Sequence, residues 1–93
     1  MDNIREELEQ YRAQIDDVDR ELLACLAARF RLSETIGLLK RSADVHVVQQ
    51  DRATEVKNRY ETLGTSQGLR PDFILELFHL IHQESCRVQD SLR

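Results

Sequence analysis

The chain has 93 residues, of which 41 % are hydrophobic and 32 % are charged, and its formal net charge is −4. This composition is typical of one soluble globular domain, here residues 1–93, and the negative charge argues against general nucleic-acid binding, which requires a basic face. Because the chain contains a single proline and three glycines, helix breakers are few, and we predict the all-α fold class.

The first forty residues carry an apolar stripe of the heptad type. Its positions alternate in steps of four and three residues, and they are Ile4, Leu8, Tyr11, Ile15, Val18, Leu22 and Cys25. The same steps continue through Arg29, Leu32, Ile36 and Leu39. No glycine interrupts them before Gly37, so the periodicity predicts one helix from about Asn3 to about Lys40.

Two shorter helices are predicted after a connector over residues 41–50. Asp51 is the predicted N-terminal cap of the second helix, which ends at Gly64. Residues 65–70 form the predicted loop. Pro71 is predicted to occupy the first turn of the third helix, whose inward stripe consists of Ile74, Phe78, Ile81, Ser85, Val88 and Leu92.

The predicted first helix is too long for the chain that carries it. About 37 residues at 1.5 Å each would extend roughly 55 Å, whereas a compact chain of this size is roughly 30 Å across. Part of the apolar stripe would therefore project beyond the chain's own core. A second copy of the chain would cover it, so the pattern predicts an intertwined, two-fold homodimer.

The sequence also indicates a cellular compartment. No apolar run is long enough to span a membrane, and the charged segment "MDNIREELEQYR" does not resemble a secretory signal. We therefore expect a cytoplasmic protein without membrane contact. Cys25 and Cys86 are isolated, with no CxxC spacing, and in a reducing compartment we expect both to be small buried or half-buried hydrophobic residues rather than a disulfide.

Two cations lie on the apolar face of the first helix. Arg29 occupies the stripe itself, and Lys40 lies eleven residues later, within about 20° of Arg29 around the helix, with Ile36 between them. A core salt bridge, or an arginine reaching the surface, would explain Arg29 alone. Two cations beside an apolar residue instead suggest a pocket for an anionic ligand.

Arg12 lies about 25 Å from Arg29 on a continuous helix, so one chain cannot bring both to one small ligand. In an antiparallel dimer, Arg12 of one chain would enter the pocket of its partner. The alternative interpretation is an ordinary solvated arginine on a charged helix surface.

The third helix carries small polar groups on one face. His82, Ser85 and Gln89 follow an i, i+3, i+7 spacing, and Ser85 also falls on the apolar stripe. Alternatively, Ser85 bonds its own helix and Gln89 is a surface residue. His79, His82 and Cys86 are too few for a structural zinc site, which requires four ligands. We therefore expect no metal.

Together these residues resemble the all-helical chorismate mutases, from about Leu8 to about Leu92. The resemblance is carried by "YRAQIDDVDRELLACLAARF", by "IGLLK", by the "DR" that contains Arg52, and by "LIHQESCRVQ". It implies three-helix chains in an intertwined dimer, a small dicarboxylate substrate, and the Claisen-type rearrangement of chorismate to prephenate in aromatic biosynthesis. It implies no metal or organic cofactor.

The same resemblance implies a role for each matching side chain. Arg29 and the partner's Arg12 would clamp the carboxylates, with Arg52 and Ser85 supporting them, and thereby hold the substrate folded for reaction. Lys40 and Gln89 would donate hydrogen bonds to the ether oxygen as negative charge grows on it. His82 and Ile36 would lie beside the pocket.

The first turn of the second helix departs from the family pattern. Well-studied members have an acidic residue three positions before the arginine and a glutamate directly after it, where this chain has Gln49 and Ala53. The pattern is closer to branches that act on chorismate relatives. A mutase for chorismate or 4-amino-4-deoxychorismate ranks first, an isochorismate pyruvate lyase second, and a non-catalytic helical dimer or regulatory module third.

Overall fold

A computed structural model describes residues 2–44, 46 and 49–91 of the chain. Within those residues the secondary structure consists of three helices, α1 (Asp2–Ala43), α2 (Gln50–Ser66) and α3 (Pro71–Asp90). The all-α prediction is therefore confirmed. The chain divides into two compact units, Met1–Arg31 and Leu32–Arg93, and each is described by itself below.

Helix α1 is longer than the heptad stripe predicted. It has 42 residues and continues past Lys40 to Ala43, with Lys40 and Arg41 in its last turn. Cations are favourable there because the last carbonyl groups of a helix carry partial negative charge. The next residue, Asp44, has a left-handed φ of 54°, a conformation that ends the helix.

The first unit exposes its apolar stripe. Ile4, Leu8, Tyr11, Ile15, Val18 and Leu22 are between 46 % and 62 % exposed, so none of them is buried within its own chain. Despite these side chains, no helix of the described residues combines the length and apolar character needed to cross a membrane.

The predicted ends of α2 were wrong by a few residues. Gln49, not Asp51, is the N-cap, it makes no side-chain capping bond, and Asp51 lies in the first turn. The helix passes Gly64 and ends at Ser66. After α2 the chain reaches Gly68, which has a left-handed φ of 84°. This backbone conformation suits a residue without a side chain.

The missing side chain of Gly64 allows close packing between helices and does not mark the end of α2. A Cβ atom on Gly64 would lie 2.7 Å from Cγ1 of Ile74, so the missing side chain lets α2 and α3 approach closely. Nearby, the rings of Tyr60 and Phe78 meet edge to face with centroids 5.5 Å apart. These contacts form the apolar part of the second unit.

Helix α3 begins with Pro71 in its first turn, as predicted. The helix buries one face, which consists of Ile74, Phe78, Ile81, Ser85 and Gln89. In the last turn Gln89 is buried, whereas Val88 of the predicted apolar stripe is only half-buried. Leu92 lies outside the described residues.

Candidate active site

Lys40 and Gln89 form a hydrogen bond between α1 and α3. Lys40 Nζ donates to Gln89 Oε1 at 3.0 Å. Lys40 is half-buried and Gln89 is only 8 % exposed, so the interpretation of Gln89 as a surface residue was wrong. An amide holds its oxygen and nitrogen on opposite sides, so a bond from Lys40 to the oxygen directs the amide NH₂ away from the ammonium.

The two helices are close at this point because α1 has a glycine there. A Cβ atom on Gly37 would lie 2.9 Å from the Cα atom of Gln89 and 3.1 Å from its Cβ and Cγ atoms. Any other residue at position 37 would therefore press on the backbone of α3. Gly37 thus sets the distance across which Lys40 reaches Gln89.

A second polar contact joins the same two helices. The Oγ atoms of Ser33 and Ser85 are hydrogen-bonded at 3.1 Å, and the two serines are 5 % and 7 % exposed. The inward direction predicted for Ser85 is confirmed.

The sequence analysis did not identify Ser33 or Gly37 as site residues. Their spacing contains a signal, because Ser33, Gly37 and Lys40 follow steps of four and three residues and so share one face of α1. Small residues on such a face indicate close helix contact, but the sequence does not say which helix is contacted.

His82 packs against Phe78 and Cys86 on its own helix. Its ring stacks on Phe78 with centroids 5.5 Å apart and an interplanar angle of 14°, and its Nε2 atom lies 3.7 Å from the Sγ atom of Cys86. Burial raises the pKa of the Cys86 thiol, Lys40 opposes that rise, and Asp90 adds to it. At neutral pH this thiol is therefore protonated and a poor nucleophile.

The structure also bears on the metal-binding alternative. Among residues 2–44, 46 and 49–91, no group of three or more His, Cys, Asp or Glu side chains has the arrangement of a metal site.

The start of α2 forms an open cleft. It has a volume of about 560 Å³ and is lined by Gln49, Gln50, Asp51, Arg52 and Glu55. Within it, Arg52 Nη1 contacts Glu55 Oε1 at 2.6 Å, and the Arg52 side chain is 58 % exposed. Gln49 and Arg52 both line this cleft.

Ala53 lies in the same turn. It is half-buried, and its backbone N–H donates to the Gln49 carbonyl at 3.0 Å. Lys40, Ser85 and Gln89 do not line this cleft.

The remaining predicted site residues belong to α1. Arg12 is exposed, and its Nη1 atom lies 3.0 Å from Glu9 Oε1 one turn away. Arg29 is half-buried. In the second unit, Ile36 is 45 % exposed.

The contacts between α1 and α3 place an ammonium group, a primary amide and two hydroxyls along one helix pair. Such groups suit a ligand that carries several oxygen atoms, because both Lys40 and Gln89 can donate hydrogen bonds. Burial strengthens these bonds, since the surrounding dielectric is lower than that of water.

Comparison with known proteins gives a consistent assignment. The family described as chorismate mutase type II matches residues 11–90. The 4-amino-4-deoxychorismate mutase of Streptomyces venezuelae is 33 % identical over 84 residues, which are 90 % of this chain and 82 % of that protein.

Two further relatives are longer. The 4-amino-4-deoxychorismate mutase of Streptomyces pristinaespiralis is 30 % identical over 83 residues, and the match covers 89 % of this chain and 64 % of that protein. The bifunctional chorismate mutase/prephenate dehydratase of Escherichia coli is 35 % identical over 81 residues, which are 87 % of this chain but 21 % of that protein. This chain therefore corresponds to about one fifth of the Escherichia coli protein.

Proposed function

The chain belongs to the chorismate mutase type II family, and we propose that it rearranges chorismate to prephenate, or 4-amino-4-deoxychorismate to the corresponding prephenate analogue. The proposal rests first on the hydrogen bond between Lys40 and Gln89. It places two donors of different kinds next to each other on buried or half-buried positions of α1 and α3. Such a pair can serve a single oxygen atom of a ligand.

The reaction is intramolecular. The ether carbon–oxygen bond breaks while a new carbon–carbon bond forms, so no proton, electron or external group has to be supplied. Negative charge develops on the ether oxygen in the transition state. The Lys40 ammonium and the Gln89 amide would stabilise that charge, and preorganised donors of this kind contribute roughly 100- to 1,000-fold each to a rate.

The substrate's two carboxylates require cations at other positions. From the sequence match we assign Arg29 and the partner's Arg12 to the carboxylates, with Arg52 and Ser85 in support. These contacts would hold the enolpyruvyl arm over the ring, which converts a flexible molecule into a near-attack conformer.

The use of Arg12 from a partner depends on a homodimer. The support for this is the apolar stripe of the first unit, whose side chains are at least 46 % exposed. A row of large apolar side chains on a soluble chain indicates an interaction surface, and a second copy of the same chain carries the matching stripe.

Subunit mixing tests both the dimer and the role of Arg12. Arg12→Ala and Lys40→Ala should each be inactive as pure proteins. A mixed dimer would regain one intact site out of two, so random mixing in equal amounts should restore about a quarter of wild-type activity. Mixing that restores no activity would place Arg12 and Lys40 in the same chain's site.

The choice of substrate depends on the start of α2. Ala53 offers no side-chain acceptor to a ring hydroxyl, whereas Asp51 and Glu55 line the same cleft and suit a cationic 4-amino group. Incubation with chorismate, 4-amino-4-deoxychorismate and isochorismate, followed by product identification, tests this choice. Pyruvate release from isochorismate alone would replace the mutase assignment with a lyase, and turnover of none of the three would refute both.

One substitution tests the role of the missing carboxylate directly. Ala53→Glu restores an acceptor, and an acceptor for a buried hydroxyl is worth about 1–3 kcal/mol, so kcat/KM for chorismate should rise roughly 5- to 150-fold. Gln50→Glu adds the same charge to the cleft and serves as the control. If Ala53→Glu leaves kcat/KM for chorismate unchanged or lowers it, the site accommodates a different ring substituent.

A further inference from the structure

The hydrogen bond between Ser33 and Ser85 connects a residue without an assigned role to a residue of the proposed site. A serine within a helix usually bonds a carbonyl of its own preceding turn. The Ser33 hydroxyl instead bonds across the helix interface, from α1 to Ser85 Oγ on α3 at 3.1 Å. Both side chains are buried, so water does not compete strongly for this bond.

The bond restricts what Ser85 can do. A hydroxyl group has one proton and two lone pairs, and its proton rotates to suit its surroundings. The bond with Ser33 uses one of these sites on each hydroxyl. It thereby holds the Ser85 Oγ atom in place on α3.

A neighbouring contact limits the freedom of the two helices to slide. Four residues beyond Ser33, Gly37 lies against the backbone of Gln89, which is itself four residues beyond Ser85. The two serines are therefore held at a fixed level of the helix pair, about one turn before Gly37 and Gln89.

We propose that Ser33 is a positioning residue that holds the Ser85 hydroxyl where it can bond a carboxylate of the substrate. This inference rests on the proposed function, in which Ser85 supports a substrate carboxylate. Ser33 acts through Ser85 and makes no contact with the reacting atoms. Its effect therefore falls on substrate binding rather than on the rearrangement itself.

The test is a double-mutant cycle made of the wild type, Ser33→Ala, Ser85→Ala and the double variant. Ser33→Ala should raise KM about fivefold, the ratio that one ordinary hydrogen bond is worth, and leave kcat within about twofold. In the Ser85→Ala background the same substitution should leave KM almost unchanged, because the group that Ser33 holds is already absent. Ser42→Ala is the matched control, since Ser42 is an exposed serine of α1 whose hydroxyl bonds the Leu39 carbonyl of its own helix at 3.0 Å.

Three outcomes would overturn the inference. An unchanged KM in Ser33→Ala means that the bond does not affect binding. An equal rise in KM in both backgrounds means that Ser33 does not act through Ser85. A wild type that turns over none of the candidate substrates refutes the proposed function and removes the role of Ser33 with it. If the wild type is active and Ser33→Ala has the same KM, only the role of Ser33 is refuted.

Discussion

Gly37→Ala perturbs the contact that brings α1 and α3 together. The added Cβ atom would lie 2.9 Å from Gln89 Cα, whereas unstrained contacts between carbon atoms are about 3.5–4.0 Å. The nearest atom is backbone, so a change of side-chain rotamer cannot relieve the contact. The two helices must separate by roughly 0.5–1 Å at this level.

Gly37→Ala should affect both stability and activity. Overpacking costs about 1–3 kcal/mol, and replacing glycine by alanine within a helix offsets about 1 kcal/mol of that. The free energy of unfolding should therefore fall by at most about 2 kcal/mol. A displacement of up to 1 Å between Lys40 and Gln89 should lower kcat/KM about 10- to 100-fold, because catalytic donors tolerate little misplacement.

Initial rates and urea unfolding measure the two effects separately. Gly64→Ala is the matched control, since its Cβ would meet the flexible side chain of Ile74 at the contact between α2 and α3. It should alter stability and leave kcat/KM within about threefold. If Gly37→Ala keeps kcat/KM within about threefold as well, close approach at Gly37 does not set the geometry of Lys40 and Gln89.

Two further predictions concern single side chains of the same helix pair. Lys40→Ala should lower kcat about 100- to 1,000-fold while the helical circular dichroism is retained, and a kcat within tenfold of wild type would remove Lys40 from the proposed charge stabilisation. Burial raises the pKa of Cys86, so in a Cys25→Ser variant the rate of thiol alkylation should reach half its maximum above about pH 8.5, the ordinary value. The pKa of this thiol is higher in the folded protein than in the unfolded chain, so its contribution to stability is complete below about pH 8.5. That contribution is lost as the pH rises through the folded pKa. Cys86→Ala should abolish this pH dependence of stability. An alkylation midpoint at or below the ordinary value would contradict the assigned burial.

The helices were predictable because their signals are local. The heptad stripe predicts α1, and Pro71 marks the start of α3 as the structure has it. The prediction of where α2 ends was wrong because it relied on Gly64. A glycine can either end a helix or let a neighbouring helix approach closely, and the contact with Ile74 decides between these two roles. The sequence of α2 alone does not contain that contact.

The polar contacts of the candidate site were only partly predictable. Lys40, Ser85 and Gln89 stood out because polar groups occur at positions that face inward. Ser33 and Gly37 did not, since a small residue in a helix is unremarkable until the crossing point with α3 is known. The partner for Ser33 lies 52 positions away, and no spacing rule connects the two.

The exposed stripe of the first unit has a consequence for how the protein unfolds. Among the described residues, the buried hydrophobic side chains are Ile74, Phe78 and Ile81, all on α3, and such a small core gives a single chain little stability of its own. If the stripe is covered by a second copy, folding and association become one equilibrium. The melting temperature then depends on protein concentration, and each tenfold dilution weakens the folded pair by about 1.4 kcal/mol.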